Sequence, residues 1–129
     1  MNMDVITALT TLVFVLLALF LLRISATPRD TTITVESTPG NRRLVVLVHG
    51  LNGLEPFRPA IELAREALPD SDLLVVDFDS RIFSNASPYG IANSIERRIH
   101  KTHLAGGYEE IVLVGHSLGG MLLRKALLW

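Results

Sequence analysis

The sequence predicts an α/β fold in which a mostly parallel sheet, flanked by helices, follows an N-terminal transmembrane helix. Residues 5–22 form an apolar run without charge, proline or glycine. Three shorter apolar runs, residues 44–48, 73–76 and 111–114, alternate with amphipathic stretches. Continuous apolar runs of this length are typical of strands buried on both faces, and strands that alternate with helices indicate a parallel sheet with right-handed crossovers.

The composition limits the chain to one small domain and excludes several functions. The chain has 129 residues, of which 49% are hydrophobic, and its mean hydropathy is +0.39. Its net charge is -1, from 12 basic and 13 acidic residues, so no strong field attracts nucleic acid and we expect no nucleic-acid partner. Because the sequence has no cysteine, disulfides, thiolate metal sites and cysteine nucleophiles are excluded.

Residues 1–24 are interpreted as a transmembrane signal anchor, which makes the lipid bilayer a predicted partner. The apolar run approaches the ~20 residues with which a helix crosses a bilayer. Two alternatives remain open: a cleaved secretory signal, with Ala26 before the cleavage site, and a buried core helix. The absence of Lys and Arg before the run argues against the secretory signal. Arg23 and Arg29 follow the span and Asp4 precedes it, which favours a cytoplasmic domain by the positive-inside rule.

A short polar segment, residues 25–30, is interpreted as a linker, and residues 31–129 as the folded domain. The linker is too short to let the domain move far from the membrane. Residues 31–37 are β-branched and alternate in polarity, which predicts a half-buried edge strand. Residues 56–68 predict an amphipathic helix, and a second helix is predicted after Pro88.

Two groups of polar residues have the composition of metal ligands but are interpreted otherwise. Asp77 and Asp79 follow the second apolar run. A metal site or an acid–base pair is disfavoured there because no further ligands accompany them, and loop capping or an ion pair with Arg81 is favoured. His100 and His103 stand near the end of a predicted helix, without a third ligand for zinc. We therefore expect no metal site and no cofactor.

The central feature of the sequence is a Gly-x-Ser-x-Gly motif, formed by Gly115, Ser117 and Gly119, between a predicted strand and a predicted helix. This context places the serine at the apex of a tight turn, in a strained conformation that projects its hydroxyl above the sheet. Strand and helix nearly touch there, so the flanking positions must be glycine, and Gly120 relaxes the packing further. The helix N-terminus favours the negative charge of an oxyanion. Ser117 is the predicted catalytic nucleophile.

A second glycine-rich loop, His49-Gly50-Leu51-Asn52-Gly53, follows the first apolar run. Functional loops of open α/β sheets gather at the carboxyl ends of the strands. Gly50 and Gly53 permit a turn whose backbone N–H points into a cleft. By itself this loop is an ordinary strand-to-helix turn, but paired with the turn at Ser117 it becomes a candidate for half of an oxyanion hole.

The segments VLVHGLNG (residues 46–53) and VLVGHSLGG (residues 112–120) together resemble the α/β-hydrolase superfamily, and within it lipases and serine esterases. The resemblance covers about residues 44–128. It implies that this domain is the N-terminal half of an α/β-hydrolase fold.

The resemblance also implies roles for individual residues. Ser117 matches the nucleophile, and Leu118 and Leu51 match the residues whose backbone N–H groups form the oxyanion hole. His49 matches a histidine that shapes the loop, not the catalytic base. The substrate that the resemblance implies is an acyl ester or a lipid.

The triad that the resemblance implies has the order Ser, then Asp or Glu, then His, but no histidine or acidic residue follows Ser117. We therefore expect a fragment of a longer enzyme, inactive by itself because a serine without a base is a weak nucleophile. The predicted function is a membrane-anchored serine hydrolase of carboxylic esters or lipids. The alternative is a non-catalytic, membrane-anchored half-fold that binds a lipid or a partner. Acyl transfer in place of hydrolysis stays open.

Overall fold

A computed structural model describes residues 3–24, 29–81 and 84–128 of the protein. Helix α1, Met3–Ile24, contains a stretch, Met3–Leu22, that is long and apolar enough to cross a membrane, with a mean hydropathy of 2.8. None of this stretch is buried against the rest of the described chain. Of the predicted linker, residues 25–30, only the last two residues are described, and Ala26 lies outside the described residues.

The described strands form one four-stranded sheet. They are β1 (Thr32–Glu36), β2 (Arg43–Val48), β3 (Ser71–Asp77) and β4 (Glu110–Gly115). Their order across the sheet is β1-β3-β2-β4. Strand β2 pairs in parallel with both β3 and β4, whereas β1 runs antiparallel to β3 at the edge. The mostly parallel sheet and the half-buried edge strand that the sequence predicts are therefore confirmed.

Helices cover both faces of this sheet. A short 3₁₀ turn, Glu55–Phe57, leads into α2 (Arg58–Ala67), and α3 (Pro88–Gly106) and α4 (Leu118–Leu127) follow later in the chain. Along β2, Val45 and Leu47 pack in the cluster that contains α2, while Val46 and Val48 pack in the cluster that contains α3 and α4. Both faces of the strand are buried, which explains its unbroken apolar sequence. The predicted α/β fold class is confirmed.

The amino ends of the parallel strands are held by a buried carboxylate. Asp72 is 2% exposed and accepts hydrogen bonds from the Thr38 N–H at 2.9 Å, from Asn41 Nδ2 at 2.8 Å and from the Tyr108 hydroxyl. Burial raises the pKa of Asp72, but these hydrogen bonds together lower it below its ordinary value. Burial and the contact with Asp72 raise the pKa of Tyr108. These hydrogen bonds tie the segment before β2, the start of β3 and the segment before β4 together at the amino end of the sheet.

Candidate active site

Ser117 occupies the turn between β4 and α4 in a strained backbone conformation. Its φ of 51° and ψ of -118° lie in a region that non-glycine residues rarely adopt. Within residues 3–24, 29–81 and 84–128 it is the single non-glycine residue with a positive φ. Strain of this kind costs on the order of 1–3 kcal/mol and persists only where surrounding contacts enforce it. The residue is exposed at the surface.

Two glycines let α4 approach β2 and β4 closely enough to enforce this turn. A Cβ added to Gly119 would lie 2.2 Å from the carbonyl oxygen of Val48 and 2.4 Å from that of His49. A Cβ added to Gly115 would lie 2.6 Å from the backbone of Gly120. Gly120 was expected to relax the packing through its lack of a side chain, but a Cβ added to it would lie an ordinary 3.5 Å from the Gly115 oxygen. Gly120 contributes through its backbone, which lies close to Gly115.

The loop after β2 packs directly against the Ser117 turn. A Cβ added to Gly50 would lie 2.8 Å from Nδ1 of His116 and 3.2 Å from the Cβ of Ser117. The N–H of His116 donates to the carbonyl of Val48 at 3.1 Å, and the N–H of Gly53 donates to the carbonyl of Gly50 at 3.2 Å. Gly53 has a φ of 82°, which favours glycine. The fold thus brings together the two glycine-rich segments of the sequence.

Two backbone amides near Ser117 have no hydrogen-bond acceptor in the described part of the chain. One belongs to Leu118, the first residue of α4, and the other to Leu51 in the loop after β2. By contrast, the amide of Gly119 already donates to the carbonyl of His116 at 2.9 Å. Free amides at a helix N-terminus stabilise developing negative charge. An oxyanion hole formed by Leu51 and Leu118 stays a prediction.

His49 is a buried part of the framework. Its side chain is 0% exposed and stacks on Phe78, with ring centroids 4.3 Å apart. Nδ1 lies 2.8 Å from the carbonyl oxygen of Gly50, and because a carbonyl only accepts, Nδ1 carries the proton. Nε2 accepts from the Phe78 N–H at 3.2 Å and lies 3.1 Å from Asp77 Oδ1. His49 therefore holds the loop at residues 49–53, which is called the Gly50 loop.

The two acidic residues at the carboxyl end of β3, Asp77 and Asp79, pair with arginines. The Asp79 side chain is 2% exposed and accepts from Arg81 Nε at 2.8 Å and from the backbone N–H of Arg29 at 2.9 Å. The hydrogen bond from Arg81 outweighs burial and lowers the pKa of Asp79. Asp77 accepts from the Arg29 guanidinium at 3.0 Å. The predicted pair of Asp79 with Arg81 is confirmed, and the contacts of Arg29 are additional.

The hydroxyl of Ser117 makes no hydrogen bond to any described residue. It is therefore open to a ligand, but no described side chain acts on it as a base. The described residues also contain no cluster of three or more His, Asp or Glu side chains placed to hold a metal ion. His100 and His103, three residues apart on α3, belong to no such cluster among the described residues.

The supports of the Gly50 loop were not predicted from the sequence. Asp77 and Phe78 hold His49, and Arg29 binds Asp77 from a position 48 residues earlier in the chain. One feature of the sequence could have indicated them. The segment Asp77-Phe78-Asp79 comes at the end of a buried strand, and the carboxyl ends of parallel strands lie together in a sheet, as the two glycine-rich loops do.

Comparisons with known proteins find a distant structural likeness and no match by sequence. No family model matches the sequence, and no curated protein matches it. A crystal structure of a "putative hydrolase" from Rickettsia typhi superposes with a TM-score of 0.45 and 14% sequence identity, over 71% of this chain and 33% of that one. This chain therefore spans about a third of the length of that protein.

Proposed function

We propose that this protein supplies the nucleophile of a membrane-anchored serine hydrolase that acts on carboxylic esters, as α/β-hydrolase esterases and lipases do. The observation that carries the proposal is the conformation of Ser117, with its positive φ and its unbonded hydroxyl at the N-terminus of α4. A residue needed only for the turn would be glycine, which adopts a positive φ without strain. Strain retained at a serine favours a chemical use of its hydroxyl.

In the proposed reaction, Oγ of Ser117 attacks the carbonyl carbon of an ester. The new C–O bond forms as the carbonyl electron pair moves to oxygen, and the N–H groups of Leu51 and Leu118 stabilise the oxyanion. Collapse of this intermediate breaks the ester bond, and the leaving alcohol takes up the proton lost by Ser117. Water then attacks the acyl-serine, which releases the acid and restores the hydroxyl. An alcohol in place of water would give acyl transfer.

These proton transfers require a base and a group that orients it. No described histidine or carboxylate is hydrogen-bonded to the Ser117 hydroxyl. We therefore assign the base and its orienting acid to residues outside this sequence, in a longer chain or in a second subunit. His49 is not the base, because its ring nitrogens are engaged with Gly50, Phe78 and Asp77.

Helix α1 supports the membrane part of the proposal. Its apolar stretch, Met3–Leu22, has 20 residues, which at 1.5 Å per residue matches a hydrocarbon core of about 30 Å. A cleaved signal sequence satisfies the same criterion. Mass spectrometry of the mature protein in the membrane fraction separates the two, because an anchor is retained and a signal sequence is removed.

The catalytic part is tested with a fluorophosphonate probe, which reacts covalently with activated serine nucleophiles. The protein is expressed from its own gene in its own cells. We expect labelling of the unaltered protein, loss of labelling in Ser117→Ala, and retained labelling in Ser94→Ala, whose hydroxyl instead bonds the carbonyl of Gly90 on α3. If no labelling depends on Ser117, the proposed hydrolase function is wrong, and the non-catalytic binding of a lipid or a partner is favoured.

The assignment of the base is tested on the 129-residue chain expressed by itself. Without a base the hydroxyl is weakly nucleophilic, so we expect little or no labelling of this chain. Strong labelling that disappears in Ser117→Ala would show that these residues already contain a complete set of catalytic groups, and would overturn the assignment.

A further inference from the structure

Arg29, the first described residue after α1, is fixed to the carboxyl end of the sheet. Its backbone N–H donates to the buried Asp79 at 2.9 Å, and its guanidinium donates to Asp77 at 3.0 Å and to the carbonyl of Phe78 at 3.4 Å. The guanidinium is largely exposed, but the Asp79 side chain is only 2% exposed. A bond to a buried carboxylate holds the backbone in place more firmly than a surface ion pair does. These contacts are called the Arg29 clamp.

The Arg29 clamp lies close to the candidate active site. Asp77 contacts His49 at 3.1 Å, His49 holds the carbonyl of Gly50, and Gly50 packs against the Cβ of Ser117. In the sheet, β2 separates β3 from β4. Neighbouring strands lie about 4.8 Å apart, so the ends of β3 and β4 are separated by roughly 10 Å.

The clamp also limits the distance between this site and the membrane. The membrane-spanning stretch ends at Leu22 and the helix at Ile24. Between Ile24 and Arg29 the chain reaches at most about 18 Å even when fully extended, at up to ~3.6 Å per residue. Strand β3, with 7 residues, is itself roughly 20 Å long. The carboxyl end of the sheet, where Arg29 is bound, is therefore held within about 18 Å of the end of α1.

The loop beside Ser117 carries an apolar side chain that suits this placement. Half of the Leu51 side chain, 50%, is exposed. An exposed apolar side chain is stabilised when it enters a membrane surface.

We propose that the Arg29 clamp holds the Ser117 end of the sheet against the membrane surface, so that the site takes its acyl ester from a lipid of that bilayer. The substrate class rests on the proposed function, because it assumes that Ser117 is the nucleophile and that α1 is retained as an anchor. Arg29 is a positioning residue, which acts through Asp77 and Asp79 and touches no reacting atom.

The placement is tested with a fluorescent probe, independently of catalysis. The sequence has no cysteine, so Asn52→Cys and Asp70→Cys each give a unique labelling site at an exposed turn, the first beside the Gly50 loop and the second at the opposite end of the sheet. The full chain is reconstituted in phosphatidylcholine vesicles that contain nitroxide-labelled lipid. We expect the nitroxide to quench the probe at position 52 several-fold more than at 70. Equal quenching, or stronger quenching at 70, would overturn the proposal.

Arg29→Ala tests the clamp itself. We expect it to reduce the quenching at position 52, because the guanidinium contacts are lost and the domain moves more freely on its linker. Arg42→Ala is the matched control: it removes an exposed arginine that pairs with Glu109 at the amino end, and it leaves the quenching unchanged. Quenching in Arg29→Ala equal to that of the unaltered protein would overturn the role of the Arg29 side chain in the clamp, because the backbone bond to Asp79 remains in this variant.

The substrate class is tested on the protein made from its own gene. A fluorogenic phosphatidylcholine in vesicles and p-nitrophenyl acetate in solution are compared, and Arg29→Ala should lower turnover of the vesicle ester more than that of the soluble ester. An equal loss on both esters would overturn the proposal while leaving the hydrolase intact. Turnover of neither ester by the unaltered protein would instead remove the proposed function, and with it the lipid substrate. The quenching result does not depend on Ser117, so the two failures are distinguishable.

Discussion

The two ends of the sheet differ in backbone strain and in how closely their backbones pack. At the carboxyl end the backbones lie so close together that a Cβ added to Gly119 would be 2.2 Å from a carbonyl oxygen. The exposed Ser117 has a strained backbone there. At the amino end, the buried Asp72 is surrounded by hydrogen-bond donors, and Gly107 ends α3 with open space around it. The carboxyl end therefore stores strain around one hydroxyl, and the amino end stabilises the fold that holds it.

The largest expected effect is at the crossing of β2 with α4. Gly119→Ala should lower the free energy of unfolding by about 3 kcal/mol or more, because the new methyl group collides with the backbone of β2. Gly120→Ala is the control, since its Cβ meets nothing closer than 3.5 Å and alanine is favoured over glycine in a helix by about 1 kcal/mol. Thermal unfolding in detergent micelles measures both. Equal stability of the two variants would contradict the close approach.

The amino end is tested by Asp72→Ala. The substitution leaves the Tyr108 hydroxyl and the Thr38 N–H without their acceptor, which should cost about 2–3 kcal/mol at neutral pH. The folded-state pKa of Asp72 is lowered, so its contribution is present above an unfolded pKa of about 3.9 and is lost as the pH falls through the folded value. The cost of the substitution should therefore shrink below about pH 4.

Asp70→Ala, at an exposed turn two residues earlier, serves as the control for the Asp72 variant and should change stability by less than about 0.5 kcal/mol. Chemical denaturation across the acid range measures both. A cost of Asp72→Ala that stays constant down to pH 2 would show that the charge on Asp72 does not contribute.

Ser117→Gly should stabilise the protein by about 1 kcal/mol. Glycine relieves a strain of on the order of 1–3 kcal/mol and costs about 0.5–1 kcal/mol in chain entropy. Ser117→Ala keeps the Cβ and the strain, so it should stay near the unaltered protein. Midpoints of thermal unfolding compare the three proteins. Ser117→Gly that is no more stable than Ser117→Ala would mean that the turn is not strained.

The smallest expected effect is at the surface of the amino end. Arg42 is 72% exposed in its pair with Glu109, and exposed ion pairs contribute about 0–1 kcal/mol. Arg42→Ala should therefore lower the free energy of unfolding by about 0.5 kcal/mol or less, and added salt should remove the difference. A loss of more than about 1 kcal/mol in the free energy of unfolding that persists at high salt would contradict this, and would mean that the exposed ion pair stabilises the amino end as Asp72 does.

The parts of the fold that depend on local pattern could be predicted from the sequence. Apolar runs identified the buried strands, and β2 shows why, because its side chains face helices on both sides. The alternation of residues 31–37 identified the edge strand β1. Its antiparallel direction could not be read from the pattern, because direction depends on how the chain enters the sheet.

The long-range contacts that stabilise the fold and hold the candidate site could not be predicted, because they join residues far apart in the chain. Arg29 and Asp79 are 50 residues apart, and Asp72 and Tyr108 are 36 apart. The first pair forms because β1 lies beside β3, and the second because β2 brings β3 and β4 into one sheet. The Ser117 turn was predictable because its demands for small residues are local, at Gly115 and Gly119. Its partner loop was predictable only through the motif at residues 49–53.

The most direct test of the central claim is to map the fluorophosphonate adduct by mass spectrometry. Trypsin cuts after Lys101 and Arg124, and the resulting peptide, residues 102–124, contains Ser117 as its single serine. If the strained serine is the nucleophile, the adduct mass lies on this peptide and fragmentation locates it at Ser117. An adduct on another serine, or equal labelling after Ser117→Gly, would contradict the assignment of this turn as the reactive centre.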